Sequence, residues 1–148
     1  MLKEKKSLSQ IQKWQWKGNI PTVDNSSYEE YNFYVLHKKP LNKYTIKDVY
    51  FMLVQDELLE ILIPYTLDFL DNKDVFFEAE YYEGDLFNAI LSNKCEFWKS
   101  DFAKRYIPKL IRLINKFENY DYTEKKIYAV SRNTLKNSID EIKRCLNL

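Results

Sequence analysis

The sequence predicts an all-α protein, a compact single-domain bundle of about six or seven helices with one long loop. Apolar residues make up 45% of the 148-residue chain, enough for a buried core. The chain contains only two glycines, whereas all-β folds need glycine at many tight turns. Along most of the chain the apolar residues recur every three to four positions, which is the spacing of amphipathic helices.

Two helices are predicted in the first forty residues. The first covers residues 7–16, where Ser7 is a suitable N-cap and Gly18 is a stop signal. Residues 18–27 then form a polar connection. The second helix covers residues 28–36 and is closed by His37, two lysines and Pro40. Cations stabilise the last turn of a helix, and proline cannot continue its hydrogen bonds.

The third helix should face the core, and the fourth should lie in the middle of the bundle. The third has an apolar stripe at helical spacing, formed by Ile46, Val49, Tyr50 and Leu53. Thr45 and Asp48 have the spacing of a capping box, which predicts that a helix begins at residue 46. Residues 58–70 are apolar around most of a helical circumference, as expected for a buried helix. Pro64 falls on its narrow polar side, and we expect a kink there rather than a break.

Three further helices complete the predicted bundle. Asp85 is expected to cap a helix that holds Leu86, Phe87, Ile90 and Leu91. Residues 100–117 form the next helix, in which Pro108 either causes a kink or begins the second half as an N1 residue. The last predicted helix covers residues 134–146.

Negative charge is concentrated in the middle of the chain. The net charge of the protein is only +1, yet residues 56–85 contain ten acids and the single base Lys73, a local charge of −9. The rest of the chain must therefore carry +10. Opposite the apolar side of the helix at 100–117 runs a line of basic residues, namely Arg105, Lys109, Arg112 and Lys116.

The long connection at residues 72–84 combines acids with aromatic side chains. Phe77, Ala79 and Tyr81 alternate with polar residues, but a lone strand would have no pairing partner. We therefore expect an ordered loop held by its aromatic residues, and long ordered loops are usually functional. Two interpretations of its acids stay open: a surface that binds a cationic partner, or a solvated face with inward-packed tyrosines.

Other functional classes have little support. The acids lack the spacing of a calcium-binding loop, so no metal is expected. The basic line is expected to be solvated or to pair with the acidic loop, because the chain has no nucleic-acid-binding motif. His37, the only histidine, has no nearby nucleophile pattern, and no catalytic residue or cofactor is predicted.

The cysteines and the hydropathy suggest a compartment. Cys95 and Cys145 lack a CxxC partner, and we expect both to be reduced thiols. The N-terminus has no apolar signal segment, and the longest apolar run is too short to span a bilayer. These features predict a cytoplasmic protein without a membrane partner.

An ordered set of short motifs extends over about residues 8–98. The motif residues are Trp14 or Trp16, Lys39-Pro40-Leu41, Thr45-Ile46-Lys47-Asp48, Gln55, the run from Leu59 to Pro64, Tyr82-Glu83-Gly84-Asp85-Leu86 and Phe97-Trp98. This set resembles a known family, the immunity proteins of bacterial contact-dependent growth inhibition (CDI) systems. Asp56-Glu57 and Phe87 depart from the family pattern.

The resemblance implies a non-catalytic protein that binds the C-terminal toxin domain of a CdiA effector in a one-to-one complex. Many such toxins are nucleases with basic clefts, which an acidic surface could attract and block. Gln55, Pro64, Gly84, Asp85, Leu86 and Trp98 would then be structural motif residues. The candidate toxin-binding residues are Asp71, Asp74, Phe77, Glu78, Glu80, Tyr81, Tyr82 and Glu83.

Two alternative functions belong to other classes of protein. A helical adaptor or regulatory module could use the same acids to bind a different basic protein. An enzyme using the carboxylate cluster would need at least one residue with a perturbed pKa in a cleft.

Overall fold

A computed structural model describes residues 1–148, and it contains helices and no strand. The all-α prediction is therefore confirmed. The eight α-helices are α1 (Leu8–Gln12), α2 (Tyr28–Lys38), α3 (Ile46–Val54), α4 (Leu59–Asp71), α5 (Asp85–Leu91), α6 (Cys95–Lys99), α7 (Ile107–Glu118) and α8 (Ala129–Leu146). Two 3₁₀ helices lie at Leu41–Lys43 and Phe102–Tyr106.

The chain divides into two compact units, Met1–Met52 and Leu53–Leu148. That residues 1–148 form a single domain stays a prediction. None of the helices combines the length and the apolar composition needed to cross a lipid bilayer.

In the first unit, the predicted first helix is too long. Ser7 caps α1 through the backbone N–H of Gln10, but Lys13 adopts a left-handed conformation and ends the helix. Trp14 leaves the helix and stacks on His37, with 5.0 Å between the ring centroids. The physical reason for the early end is therefore aromatic packing on α2, which the helical spacing of the sequence cannot reveal.

The capping box predicted for α3 is present. The backbone N–H of Asp48 donates to Thr45 Oγ1 at 3.2 Å, and that of Thr45 donates to Asp48 Oδ2 at 2.9 Å. Asp48 also forms an ion pair with Lys39 at 2.8 Å. Val49 and Leu53, two of the four residues on the predicted apolar stripe, are buried.

In the second unit, α4 continues through Pro64 and buries Leu62, Ile63, Leu67 and Leu70. It packs against α5 and α7, and α8 packs against α5 and α6. Residues 102–106 form a 3₁₀ helix, and α7 then begins at Ile107 with Pro108 in its first turn. Of the two alternatives for Pro108, the start of a helix is confirmed.

Two helices of this unit differ from prediction. The last helix, α8, begins at Ala129 rather than at residue 134. A short helix, α6, holds the Phe97-Trp98 motif and brings the number of α-helices to eight. Trp98 is buried and its indole N–H donates to the Ile90 carbonyl at 2.8 Å, which joins α6 to α5.

The expectation of two free thiols is wrong. Cys95 on α6 and Cys145 on α8 form a disulfide bond, and their Cα atoms lie 6.0 Å apart. The two residues are 50 positions apart in the sequence. Their proximity arises only because α6 packs on α8, and no local pattern encodes that contact.

Candidate binding surface

The long loop at residues 72–84 is held by one buried carboxylate. Asp85 is fully buried, and its Oδ1 accepts the backbone N–H of Ala79 at 2.7 Å. Its Oδ2 accepts the N–H groups of Glu80 at 2.9 Å, Tyr81 at 2.7 Å and Tyr82 at 3.4 Å. A carboxylate that accepts hydrogen bonds from several N–H groups holds the backbone of the loop strongly and in a defined direction.

This arrangement corrects the role predicted for Asp85. The N-cap of α5 is Gly84, and Asp85 is the first helical residue. Its side chain accepts hydrogen bonds from backbone N–H groups of the preceding loop rather than from those of its own helix. A carboxylate at the start of a helix is also favoured by the helix dipole.

Gly84 allows the loop to turn tightly against α8. Its φ of +84° lies in the left-handed region, which residues other than glycine rarely adopt. A Cβ added at this position would lie 2.5 Å from Leu135 Cδ1. The backbone N–H of Gly84 donates to the Phe76 carbonyl at 3.0 Å, which closes the loop on itself.

The aromatic residues of the loop divide into anchors and exposed groups. Phe76 is buried, and its ring packs against Tyr120 with 4.8 Å between centroids. Phe77 is half-buried and packs edge-on against Phe69 at 5.0 Å. Tyr82 is half-buried, its hydroxyl accepts a hydrogen bond from the Asn88 amide, and burial raises its pKa.

Tyr81 differs from these anchors because 65% of its surface is exposed. Of the three candidate aromatic contacts, Phe77, Tyr81 and Tyr82, the structure presents Tyr81 most fully to solvent. The expectation of an ordered loop tied down by aromatic residues is confirmed, and the Asp85 carboxylate adds a second set of ties that the sequence did not indicate.

The acids at the end of α4 are neutralised inside the protein. Asp68 pairs with Lys109 at 2.5 Å. Asp71 pairs with both Arg112 and Lys116 at 2.9 Å. The hydrogen bond from Lys116, followed by the charges of the neighbouring bases, holds the pKa of Asp71 below its usual range. The basic line of α7 is therefore, in large part, an internal salt-bridge partner.

Asp74 is also engaged by its own protein. Its Oδ1 accepts the backbone N–H of Phe76 at 2.6 Å, and its Oδ2 accepts the Tyr120 hydroxyl at 3.1 Å. Lys125 lies 3.7 Å from the same carboxylate. Burial and the Asp74 charge raise the pKa of Tyr120 to about 12. Asp71 and Asp74 are candidate toxin-binding residues whose carboxylates already have partners.

The fourth basic residue behaves differently from the other three. Arg105 lies outside α7, in the 3₁₀ helix Phe102–Tyr106. Its guanidinium lies over the ring of Phe102, 5.3 Å from the centroid, and over the ring of Tyr106 at 5.6 Å.

The glutamates of the loop are placed differently from the aspartates. Glu78 is exposed, and Glu80 and Glu83 are half-buried. Glu78 forms no ion pair, and Glu83 accepts only the backbone N–H of Tyr128, at 3.3 Å. We refer to Glu78, Glu80, Tyr81 and Glu83 as the loop surface.

The structure adds Tyr128 beside the loop surface. Its backbone N–H donates to Glu83, and its side chain is 79% exposed. Val130, in the first turn of α8, is 77% exposed. The sequence patterns gave residues 119–133 no role, although the apolar run at residues 127–130 was an available signal.

No group of three histidine, cysteine or acidic side chains is arranged to hold a metal ion. His37 is buried in the first unit, where its Nδ1 hydrogen-bonds to the Tyr34 carbonyl.

Comparison with known protein families gives one match. A family model described as CDI immunity proteins matches residues 10–106, about two-thirds of the chain. The chain belongs to the CDI immunity protein family. No curated protein and no solved structure matches it. Members of this family are non-catalytic toxin inhibitors, so the immunity protein is not an enzyme and has a cognate toxin as its partner.

The matched residues place the motif positions of the immunity protein in distinct environments. Gln55 is exposed beyond the end of α3, and Pro64 lies within α4. Gly84, Asp85 and Leu86 form the buried turn into α5. The match includes the whole acidic loop but ends before α7, so the bases that neutralise α4 lie beyond it.

Proposed function

We propose that the immunity protein neutralises the C-terminal toxin domain of a CdiA effector by binding it one-to-one through the loop surface. The observation that carries this proposal is the contrast in charge pairing. Asp68, Asp71 and Asp74 already have cationic partners, whereas Glu78 and Glu83 form no ion pair. Carboxylates left unpaired on a fixed loop repel one another unless a cationic surface meets them.

The proposed toxin has a basic cleft, as a nuclease does. Negative charge held at a fixed position accelerates encounter with such a cleft, by roughly 10–10³-fold in association rate. The same loop would then occupy the space that a polyanionic substrate needs. Tyr81 would supply the apolar contact, since exposed tyrosines are enriched at the centre of interfaces. Asp71, Asp74, Phe77 and Tyr82 would hold the loop in place from behind.

The decisive experiment reverses the charge of the loop surface. In the triple variant Glu78→Lys, Glu80→Lys, Glu83→Lys we expect the association rate with the toxin encoded next to this protein to fall at least ~10-fold. The dependence of that rate on salt should also flatten, because the steering charge has been removed. Stopped-flow mixing at several salt concentrations measures both quantities.

A control variant has the same change in net charge elsewhere. Asp24, Glu29 and Glu96 are exposed acids without ion pairs, and their replacement by lysine also raises the net charge by six. If this control slows association as much as the loop variant, net charge rather than the loop surface governs binding. If neither variant changes the rate, the loop is not the interface.

We also propose that the protein acts in the cytoplasm. Cytoplasmic thiols are normally reduced, so toxin binding must persist when the Cys95–Cys145 bond is opened. The toxin affinity should be the same with and without dithiothreitol. Loss of binding in the reduced protein would contradict a cytoplasmic site of action.

A further inference from the structure

A cavity on the side of α8 has the chemistry of an anion-binding site. It has a volume of about 330 Å³ and lies in the second unit. One wall is formed by the aromatic rings of Phe117 and Tyr122. The other wall is α8, which contributes residues at helical spacing, namely Ala129, Arg132, Asn133 and Lys136.

Arg132 is the central residue of this cavity. Its guanidinium lies over the Tyr122 ring, 4.6 Å from the centroid, and forms no ion pair. Its Nε is buried and has no hydrogen-bond partner, and it is the single side-chain atom of the protein in that situation. A buried donor without an acceptor costs free energy. An acceptor delivered by a ligand would remove that cost.

Two neighbouring side chains add to the positive character. Lys136 lies one helical turn after Arg132, is exposed and forms no ion pair. Asn133 offers an amide donor on the same wall. These bases differ from those of α7, of which Lys109, Arg112 and Lys116 are paired with carboxylates. The cavity therefore has two cations that the protein leaves uncompensated.

The geometry favours a planar anion. The Nε and one terminal nitrogen of arginine form a fork that matches the two oxygens of a carboxylate. Hydrogen bonds from that fork lie in the plane of the guanidinium, which is the plane that a bound carboxylate shares with it. The aromatic walls provide contact area for the carbon atoms that carry the carboxylate.

One backbone link joins the cavity to the loop surface. Its wall residue Ala129 directly follows Tyr128, whose backbone N–H donates to Glu83. A partner that contacts Tyr128 would thus lie beside the cavity.

We propose that this cavity binds an aspartate or glutamate side chain of the partner protein, through Arg132 and Lys136. The proposal rests on the proposed function, because the same toxin would meet the loop surface with basic residues and the cavity with an acidic one. Opposite charges at two neighbouring points would fix the orientation of the complex and discriminate against toxins that lack the acid.

The first test uses the immunity protein alone with sodium acetate, at constant ionic strength maintained with sodium chloride. We expect the NMR signals of the Arg132 Nε–H and the Asn133 side-chain amide to shift and saturate. Acetamide should cause no shift. Inorganic phosphate should bind more weakly than acetate. If acetate produces no saturable shift, if acetamide matches it, or if phosphate binds more tightly, the proposed carboxylate site is wrong.

Two matched variants identify the arginine. Arg132→Lys keeps the charge and the contact with Tyr122 but removes the fork, and acetate binding followed at Asn133 should weaken at least ~10-fold. Arg144→Lys makes the same change at an exposed arginine of the same helix and should have no effect. Equal binding by the Arg132 variant and the unaltered protein would overturn the assignment.

The second test uses the cognate toxin. Arg132→Lys and Lys136→Gln should each raise the toxin dissociation rate, by ~10-fold and ~3-fold, because a desolvated charge pair acts mainly on dissociation. Acetate binding without any change in toxin dissociation would show a carboxylate site that the toxin does not use, which would overturn the partner while leaving the proposed function intact. Failure of the unaltered protein to bind toxin would remove the proposed function as well.

Discussion

The acids at the end of α4 and the acids of the loop that follows are close in sequence but differ in their surroundings. Asp68 and Asp71 face three bases of α7, and Asp74 contacts Tyr120 and Lys125. Glu78 and Glu83 meet no base. Asp85 meets no base either, and it is satisfied by backbone N–H groups alone. A run of acids in a sequence therefore does not define one acidic surface.

The difference arises from what packs opposite each region. A helix repeats its side chains every three to four residues, so α7 can place Lys109, Arg112 and Lys116 in a row beside α4. Glu78 and Glu83 have no such row opposite them. The shape of the loop is fixed instead by Asp85 and by the turn at Gly84. Pairing of side chains and anchoring of the backbone thus divide a single acidic segment into two parts with different surroundings.

Among substitutions in these two regions, Asp85→Asn is expected to have the largest effect on stability. The amide would turn a donor toward at least one of the four N–H groups that the carboxylate now accepts. We expect the free energy of unfolding to fall by about 3 kcal/mol, measured by urea denaturation. Asp24→Asn, at an exposed position, is the control and should change it by less than ~0.5 kcal/mol. An unchanged stability in Asp85→Asn would mean that the carboxylate does not hold the loop.

The turn at Gly84 should be the next most sensitive position. Gly84→Ala combines a left-handed backbone with a contact against Leu135, and we expect a loss of about 2 kcal/mol in unfolding free energy. Gly18→Ala is a matched control, since Gly18 has a φ of +87° but no atom within 4 Å of the added Cβ. It should cost only about 1 kcal/mol. Equal losses at the two glycines would show that packing against Leu135 contributes nothing.

The α4 pairs should matter less and should depend on pH. Asp71→Asn is expected to lower the free energy of unfolding by less than ~1 kcal/mol at neutral pH, since the pairs are largely exposed to solvent. Because the folded-state pKa of Asp71 is lowered, its contribution is fully present above the unfolded pKa of about 3.9. That contribution disappears as the pH falls through the folded-state pKa. Urea titrations from pH 7 to pH 2 should show the two proteins converging in acid, and a constant difference would contradict the pairing.

The smallest effect on stability is expected at Glu78. Glu78→Gln removes an exposed carboxylate without an ion pair, so the unfolding free energy should change by less than ~0.5 kcal/mol. The same variant should nonetheless slow toxin association by ~2-fold at low salt. A clear loss of stability would place Glu78 with the α4 acids rather than with the loop surface.

Sequence patterns predicted the helices of this protein well where packing periodicity dominates. The helices α3 and α4, and the capping box at Thr45 and Asp48, lie where they were expected. On α7 the buried side shifts, since Ile111 is exposed and Leu113 is buried. Errors occurred at helix ends. For example, α1 ends before Lys13 because the tryptophans that follow pack on α2. The ordered motifs also indicated the family, which the match over residues 10–106 confirms.

The candidate site was less predictable for a different reason. Charge counting identified the acidic segment but could not divide it, since the division depends on which helix packs beside α4. The sequence likewise did not predict the cavity around the unpaired Arg132, because Tyr122 and Phe117 approach this residue only in the folded chain.

By itself the sequence determined the helical class, the caps at Ser7 and Thr45, the concentration of acids and the family. Periodicity and capping are local properties, set by residues within one or two turns of one another. Only the tertiary structure decided which carboxylates are neutralised, that Cys95 meets Cys145, and that Asp85 binds a loop instead of capping a helix. These outcomes depend on contacts between residues far apart in the chain or on the exact path of a loop, which local side-chain preferences do not specify.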